Sequence, residues 1–317
     1  MALELLGEVE LPAHTGPGGF DHGDVHQATG RVFVAHAANG AIEVIDGERL
    51  RPLATLADCP EASGVICPTS TDIVVAAARA TGEVLFIDPV RSWLKSRVTV
   101  GGRPNGLAWD ARRQRVLVAD VAGNSVTMAE PSRTQIVASS PLPGKPRWAV
   151  YDPVRDVFLV NVAEPAVVAV VDPQTAAVVD SWSVESPGPH GLDLDGGGRV
   201  FVACDGGEVI CLDSADGREL ARVPIAGGTD AIWFDCAGAS LYVAIGRPGV
   251  VQVVDTGRMW SPRLLSPKRA LRPPPSTLDV GSSMCSNPSA ARSPLFRSSD
   301  DAWPIDGTVG RPVCGGC

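Results

Sequence analysis

The feature that most constrains this chain is an internal repeat. A segment reading PNGLAWD at 104–110, RVLVAD at 115–120 and GNSVTM at 123–128 returns as PHGLDLD at 189–195, RVFVACD at 199–205 and GEVICLD at 207–213. It returns again as RWAVYD at 147–152, VFLVN at 157–161 and AVVAVVD at 166–172, and further copies start near His22, Ser63 and Asp230. Six copies thus follow one another at a spacing of about 42 residues. A unit this small cannot bury its apolar surface alone, so the copies must pack on one another.

Each copy holds four short apolar or alternating runs separated by Gly, Asp, Asn and Pro, the pattern of a four-stranded antiparallel sheet with strands a to d. Asp46, Asp88, Asp172, Asp213 and Asp255 close strand c, and Asp110, Asp152 and Asp235 follow strand a. Aspartate folds its carboxylate back onto nearby backbone amides, so these are expected to be turn residues and not catalytic ones. The fold expected is all-β: a β-propeller with six recognisable four-stranded blades, seven being the intended number. Residues 3–12 resemble the strand-d segments at 135–143 and 178–187. They are expected to act as a velcro strand, supplying strand d of the last blade and covering an edge otherwise left unpaired. Strands a to c of that blade must then come from the C-terminal part.

The propeller is accordingly expected over residues 1–259, followed by an irregular or disordered Pro/Ser/Arg-rich tail over 260–317. The tail contains Pro273, Pro274 and Pro275 and no alternating run of useful length. The genetic code suggests an origin for it. If its serines use TCN codons, the adjoining reading frame permits a translation of about this stretch as TAFDTGRRLIYVFQP, which has the form of strand a, turn and strand b. The tail is then a frameshifted final blade.

The motif P-x-G-L-A-x-D, followed by R-V-x-V-A-D and V-x-V-x-D, resembles the YVTN/YncE-like and NHL-type propellers over roughly residues 20–258. That resemblance implies the fold. It leaves function open, because such propellers include protein-binding scaffolds, lactonases and lyases.

Antiparallel topology puts the start of strand a and the end of strand b on one face of the ring. The first set reads His22, Ser63, Asn105, Trp148, His190 and Asp230; the second reads His36, Arg79, Asp120, Asn161, Asp205 and Gly246. Ligand-binding residues at a channel mouth are therefore expected at His22, His36, Asn105, Asp120, Trp148, Asn161, His190, Asp205 and Asp230. Trp148, standing where other copies have polar residues, is expected to cap or narrow the channel, whereas Trp109 and Trp233 are expected to fill space between blades. The function expected is binding of a peptide, protein or small ligand, with no cofactor. The alternative is a metal-assisted lactonase or lyase, with His190 as general base and Asp120 or Asp205 on a divalent ion. The gluconolactonase-type propellers that the resemblance brings in hold such an ion, but their glutamate at the opening strand is missing here.

Composition narrows the classes further. A net charge of −9 with scattered basic residues disfavours nucleic acid, whose binding needs a basic surface. No apolar stretch is long enough to span a bilayer. The N-terminal residues carry Glu4 and Glu8 where a secretory signal needs basic residues, so cytoplasmic residence is expected. Cys314 and Cys317 have the spacing of half a zinc site without a second half nearby, and the cysteines are expected to be reduced thiols.

Overall fold

The structure, a computed structural model, describes residues 3–69, 71–265 and 291–298. Six four-stranded antiparallel sheets span 20–56, 62–99, 104–141, 146–183, 189–224 and 229–265, each with its strands in chain order. Sequential sheets pack side by side around an axis, with strand a of one blade against strand a of the next. This is a β-propeller. Among the described residues the only helical turn is Ala37–Asn39, and no helix is long and apolar enough to cross a membrane.

The sheets form because alternate residues along each strand point to opposite faces and both faces are apolar. In blade five, Val200, Val202, Ile210 and Leu212 join a cluster with Leu159, Val168 and Val170 of blade four. The intervening Phe201, Ala203, Val209 and Cys211 join another with Leu241, Val243 and Ile245 of blade six. Comparable clusters join blades one and two, two and three, and three and four.

The turns behave as the sequence predicts. The carboxylate of Asp88 accepts from the amides of Val90 and Arg91, and that of Asp152 from Val154 and Arg155. Asp46, Asp110, Asp172, Asp213, Asp235 and Asp255 also accept amides two or three residues on. Accepting the amide of Arg49, Arg91 or Arg258 is what chiefly holds Asp46, Asp88 and Asp255 below the usual carboxylate range. Trp109 packs at the edge of the cluster between blades two and three, as expected, but Trp233 is 41% exposed.

Both ends of the propeller depart from expectation in detail. Strand d of blade six is Trp260–Leu265, beyond the point where the repeat ceases to be legible. Backbone pairing tolerates Pro262 there because the strand is outermost. The N-terminal strand Leu3–Leu11 pairs antiparallel with Ala291–Ser298, inside the stretch expected to be irregular. Val9 and Leu11 pack on Val34 and Ile45 of blade one, so this pair stands beside blade one. Gly281–Ser286, on which the alternative-frame reading rests, lie outside the described residues. Cys59, Cys67, Cys204 and Cys211 are buried free thiols, and burial pushes their pKa up, to about 12 for Cys59 and Cys204. Cys236, by contrast, is disulfide-bonded, against the expectation of reduced thiols throughout.

Blades three and four are locked at the turn face. Arg113 donates through both terminal nitrogens to Asp156 at 2.8 and 2.7 Å and also reaches Asp110, while the Tyr151 hydroxyl donates to Asp156 at 2.5 Å. The Arg113 and Tyr151 hydrogen bonds hold the Asp156 carboxyl far below its usual range. A depressed folded-state pKa gives stability that is complete above the unfolded value near 4 and is lost as pH falls below it. Asp156→Asn should therefore cost about 1–3 kcal/mol at pH 7. That deficit should shrink as the pH is lowered from about 4 towards 2, as measured by denaturant unfolding of both proteins. A deficit independent of pH over that range would contradict the assignment.

Candidate channel-mouth site

The mouth is built where strand a begins, and there every blade breaks its pairing register. The shifts fall between Phe20 and Gly23, Ala62 and Val65, Pro104 and Leu107, Pro146 and Ala149, Pro189 and Gly191, and Thr229 and Ala231. Such bulges re-aim side chains and suspend the two-residue alternation. Phe20, Ala62, Pro104, Pro146, Pro189 and Thr229 are thus the equivalent residues, facing His36, Ala78, Asp120, Val162, Cys204 and Ile245. Asp21 and Arg147 are then the counterparts of Ser63, Asn105, His190 and Asp230. His22 and Trp148 come one residue later, where blades two, three and five have Gly64, Gly106 and Gly191 and blade six has Ala231.

This one-residue correction matters for the channel. His22 belongs to blade one and Trp148 to blade four, yet their rings lie 4.3 Å apart between centroids, tilted by 35°. Non-neighbouring blades can touch through strand a only across the axis, so the two rings obstruct the channel at this level. Burial is the main cause that lowers the His22 pKa; His190 and Arg79 push the same way, while Asp21 and Asp230 oppose. These charged groups come from blades one, two, five and six.

Around that plug, charges are tied between blades. Arg79 donates to Asp21 at 3.0 Å and to the Asn105 side-chain oxygen, joining blades one, two and three. His190 Nδ1 lies 3.1 Å from Asp205 Oδ1, and Arg147 of blade four lies 4.0 Å from the same carboxylate. Between blades five and six is an open cavity of about 420 Å³, lined by His190, Asp205, Thr229, Asp230 and Arg247, with Gly228 and Gly246. Asp230 and Arg247 are exposed there, and neither makes a hydrogen bond or ion pair among the described residues.

Three of the expected mouth residues are used elsewhere. His36 is fully buried, with Nδ1 2.7 Å from Glu43 Oε1 and Nε2 2.8 Å from His14 Nδ1. Glu43 also accepts from the Thr55 hydroxyl, so His36 ties the N-terminal segment into blade one and does not face the opening. Asn161 is likewise buried and donates to the carbonyls of His190 and Gly191, bracing the strand that presents His190. Asp120 accepts from the amides of Arg103 and Ala122 and serves its own turn. Asn105 is buried beneath Arg79, while His22, Trp148, His190, Asp205 and Asp230 gather at the mouth. Sequence reasoning missed Asp21, Arg147 and Arg247; the first two stand immediately before His22 and Trp148, one residue from the positions chosen. Among the described residues no three His, Cys, Asp or Glu side chains are grouped so as to hold a metal ion.

Burial chiefly lowers the His22 pKa and the Trp148 ring lies against the imidazole, so Trp148→Ala should raise it towards the ordinary value of about 6.5. Following the imidazole resonances by NMR through pH 4–8 reads this directly; a His22 midpoint unmoved by the substitution would show that the indole does not shield it.

No family model matches this chain, and no curated protein sequence matches it.

Proposed function

We propose that the protein is a binding propeller of the YVTN/YncE-like or NHL-type kind, taking a peptide, a protein segment or a small ligand at the mouth between blades five and six. One observation carries this reading. Asp230 and Arg247 line the same cavity with opposite charges, and neither is spent on the fold among the described residues. The other mouth charges are engaged internally: Arg79 with Asp21 and Asn105, and Asp205 with His190. A concave wall that keeps one carboxylate and one guanidinium available is suited to polar groups of both signs. With the axis obstructed by His22 and Trp148, the ligand sits on the mouth and does not thread the channel. Metal-assisted hydrolysis draws little support, because Asp120 is committed to its turn and the remaining donors do not converge.

The test is a thermal-shift screen of short peptides and small polar molecules at low ionic strength. A ligand that binds only the folded protein raises the melting temperature with its concentration. For any hit, Asp230→Asn and Arg247→Gln should each weaken binding by about fivefold to tenfold, equivalent to about 1–1.4 kcal/mol. The unliganded melting temperature should stay within about 1 °C, as expected for exposed charges without partners. Hits that bind the double variant as tightly as the parent would place recognition elsewhere.

A further inference from the structure

We infer, on the basis of the binding role proposed for this mouth, that the occupant of the cavity between blades five and six is a short peptide with both termini free. Its ammonium rests on Asp230 and its terminal carboxylate on Arg247. Charge is the first ground. Two carboxylates, Asp205 and Asp230, and one guanidinium, Arg247, line the cavity. A purely cationic ligand would meet Arg247, and a purely anionic one would meet both aspartates. A neutral ligand would take water from Asp230 and Arg247 without offering either an opposite charge, which is unfavourable. A zwitterion compensates both signs at once, through charge-assisted hydrogen bonds at its two ends.

The second ground is spacing. Elsewhere at this mouth opposite charges meet directly: Arg79 pairs with Asp21 at 3.0 Å, and His190 with Asp205 at 3.1 Å. Asp230 and Arg247 belong to one blade, the first at the start of strand a and the second just past the end of strand b. Thr229 pairs with Ile245, so the two charged residues are carried on adjoining stretches of backbone and line the same cavity. They nevertheless form no ion pair with each other. Two opposite charges that share a cavity without touching suit a ligand that carries one charge at each end.

The third ground is shape. A Cβ added at Gly246 would lie 3.5 Å from Asp230 Oδ2, and one added at Gly228 would lie 3.7 Å from Asp205 Oδ1. A side chain at either position would stand against a carboxylate oxygen, so glycine keeps both acids open to the cavity. A volume of about 420 Å³ is about 9 Å across if equidimensional, the length of two or three extended residues at about 3.3–3.6 Å each. A dipeptide or tripeptide matches that length and carries its two charges at the ends.

The probes are alanylalanine and serylserine with their N-acetylated and C-amidated forms, titrated by NMR into the full chain, Asp230→Asn and Arg247→Gln. In the parent, acetylation and amidation should each weaken binding at least about fivefold. Asp230→Asn should remove the discrimination against the acetylated form and keep that against the amide, and Arg247→Gln should do the reverse. Arg247→Lys, which keeps the charge, should still prefer the free acid. Blocked dipeptides that bind the parent as tightly as the free ones would overturn the inference. So would discrimination that survives both substitutions, or no binding of either free dipeptide up to about 10 mM. In any of those cases, other ligands from the thermal-shift screen that depend on Asp230 and Arg247 would leave the binding role of the mouth standing; with no such ligand, that role falls as well.

Discussion

Burying both faces of each sheet is the requirement on which the rest of the molecule depends. Blade five shows it most plainly: Val200, Val202 and Ile210 are satisfied by blade four, while Phe201, Ala203 and Val209 need blade six. A sheet with two such faces is unstable as an end piece, because leaving either face wet forfeits the hydrophobic contribution that offsets the ordering of the chain. Side-by-side stacking meets the need for interior blades, and curvature around an axis lets the two terminal blades share the remaining partner. The pair Leu3–Leu11 and Ala291–Ser298 covers blade one's face on the side away from blade two.

The mouth is a product of the same geometry. Strands a converge on the axis, where backbone approaches backbone; a Cβ added at Gly64 or Gly106 would meet the carbonyl of the next blade at about 2 Å. The bulge at this point turns side chains out of the sheet and into the mouth. Two blades place large rings where three others have glycine and one has alanine, and those rings fill the centre. What is left for recognition is the rim, whose chemistry is set by the residues that each copy is free to vary.

The architecture was legible because it rests on repetition: the a-to-d runs, the aspartate turns and the velcro-like N-terminal strand recur as patterns that need no three-dimensional knowledge. The mouth was legible as a region but less so residue by residue. Alternation is the rule that converts sequence position into facing direction, and the bulge suspends it for two or three residues in every blade. That is why His22 and Trp148 aligned with the wrong partners, and why Asp21 and Arg147 were passed over. His36 and Asn161 were misplaced for a different reason. A polar residue at a strand end is either wet or paired inside, and only the positions of Glu43, His14 and the His190 carbonyl distinguish the two. Pro262 and the Pro-rich context hid the last strand of blade six, because proline is penalised in strands generally and tolerated only at the edge.

The contact between His22 and Trp148 gives the ring a spoke. Blades in a propeller ordinarily communicate through the wall, each with its two neighbours, so a disturbance fades as it passes around the circumference. A strut across the diameter shortens that route: blades one and four share a contact that does not run through blades two and three. Since the imidazole end of the strut also senses Asp230 and His190 electrostatically, charge arriving at the rim beside blades five and six acts on a group that is wedged against the opposite wall.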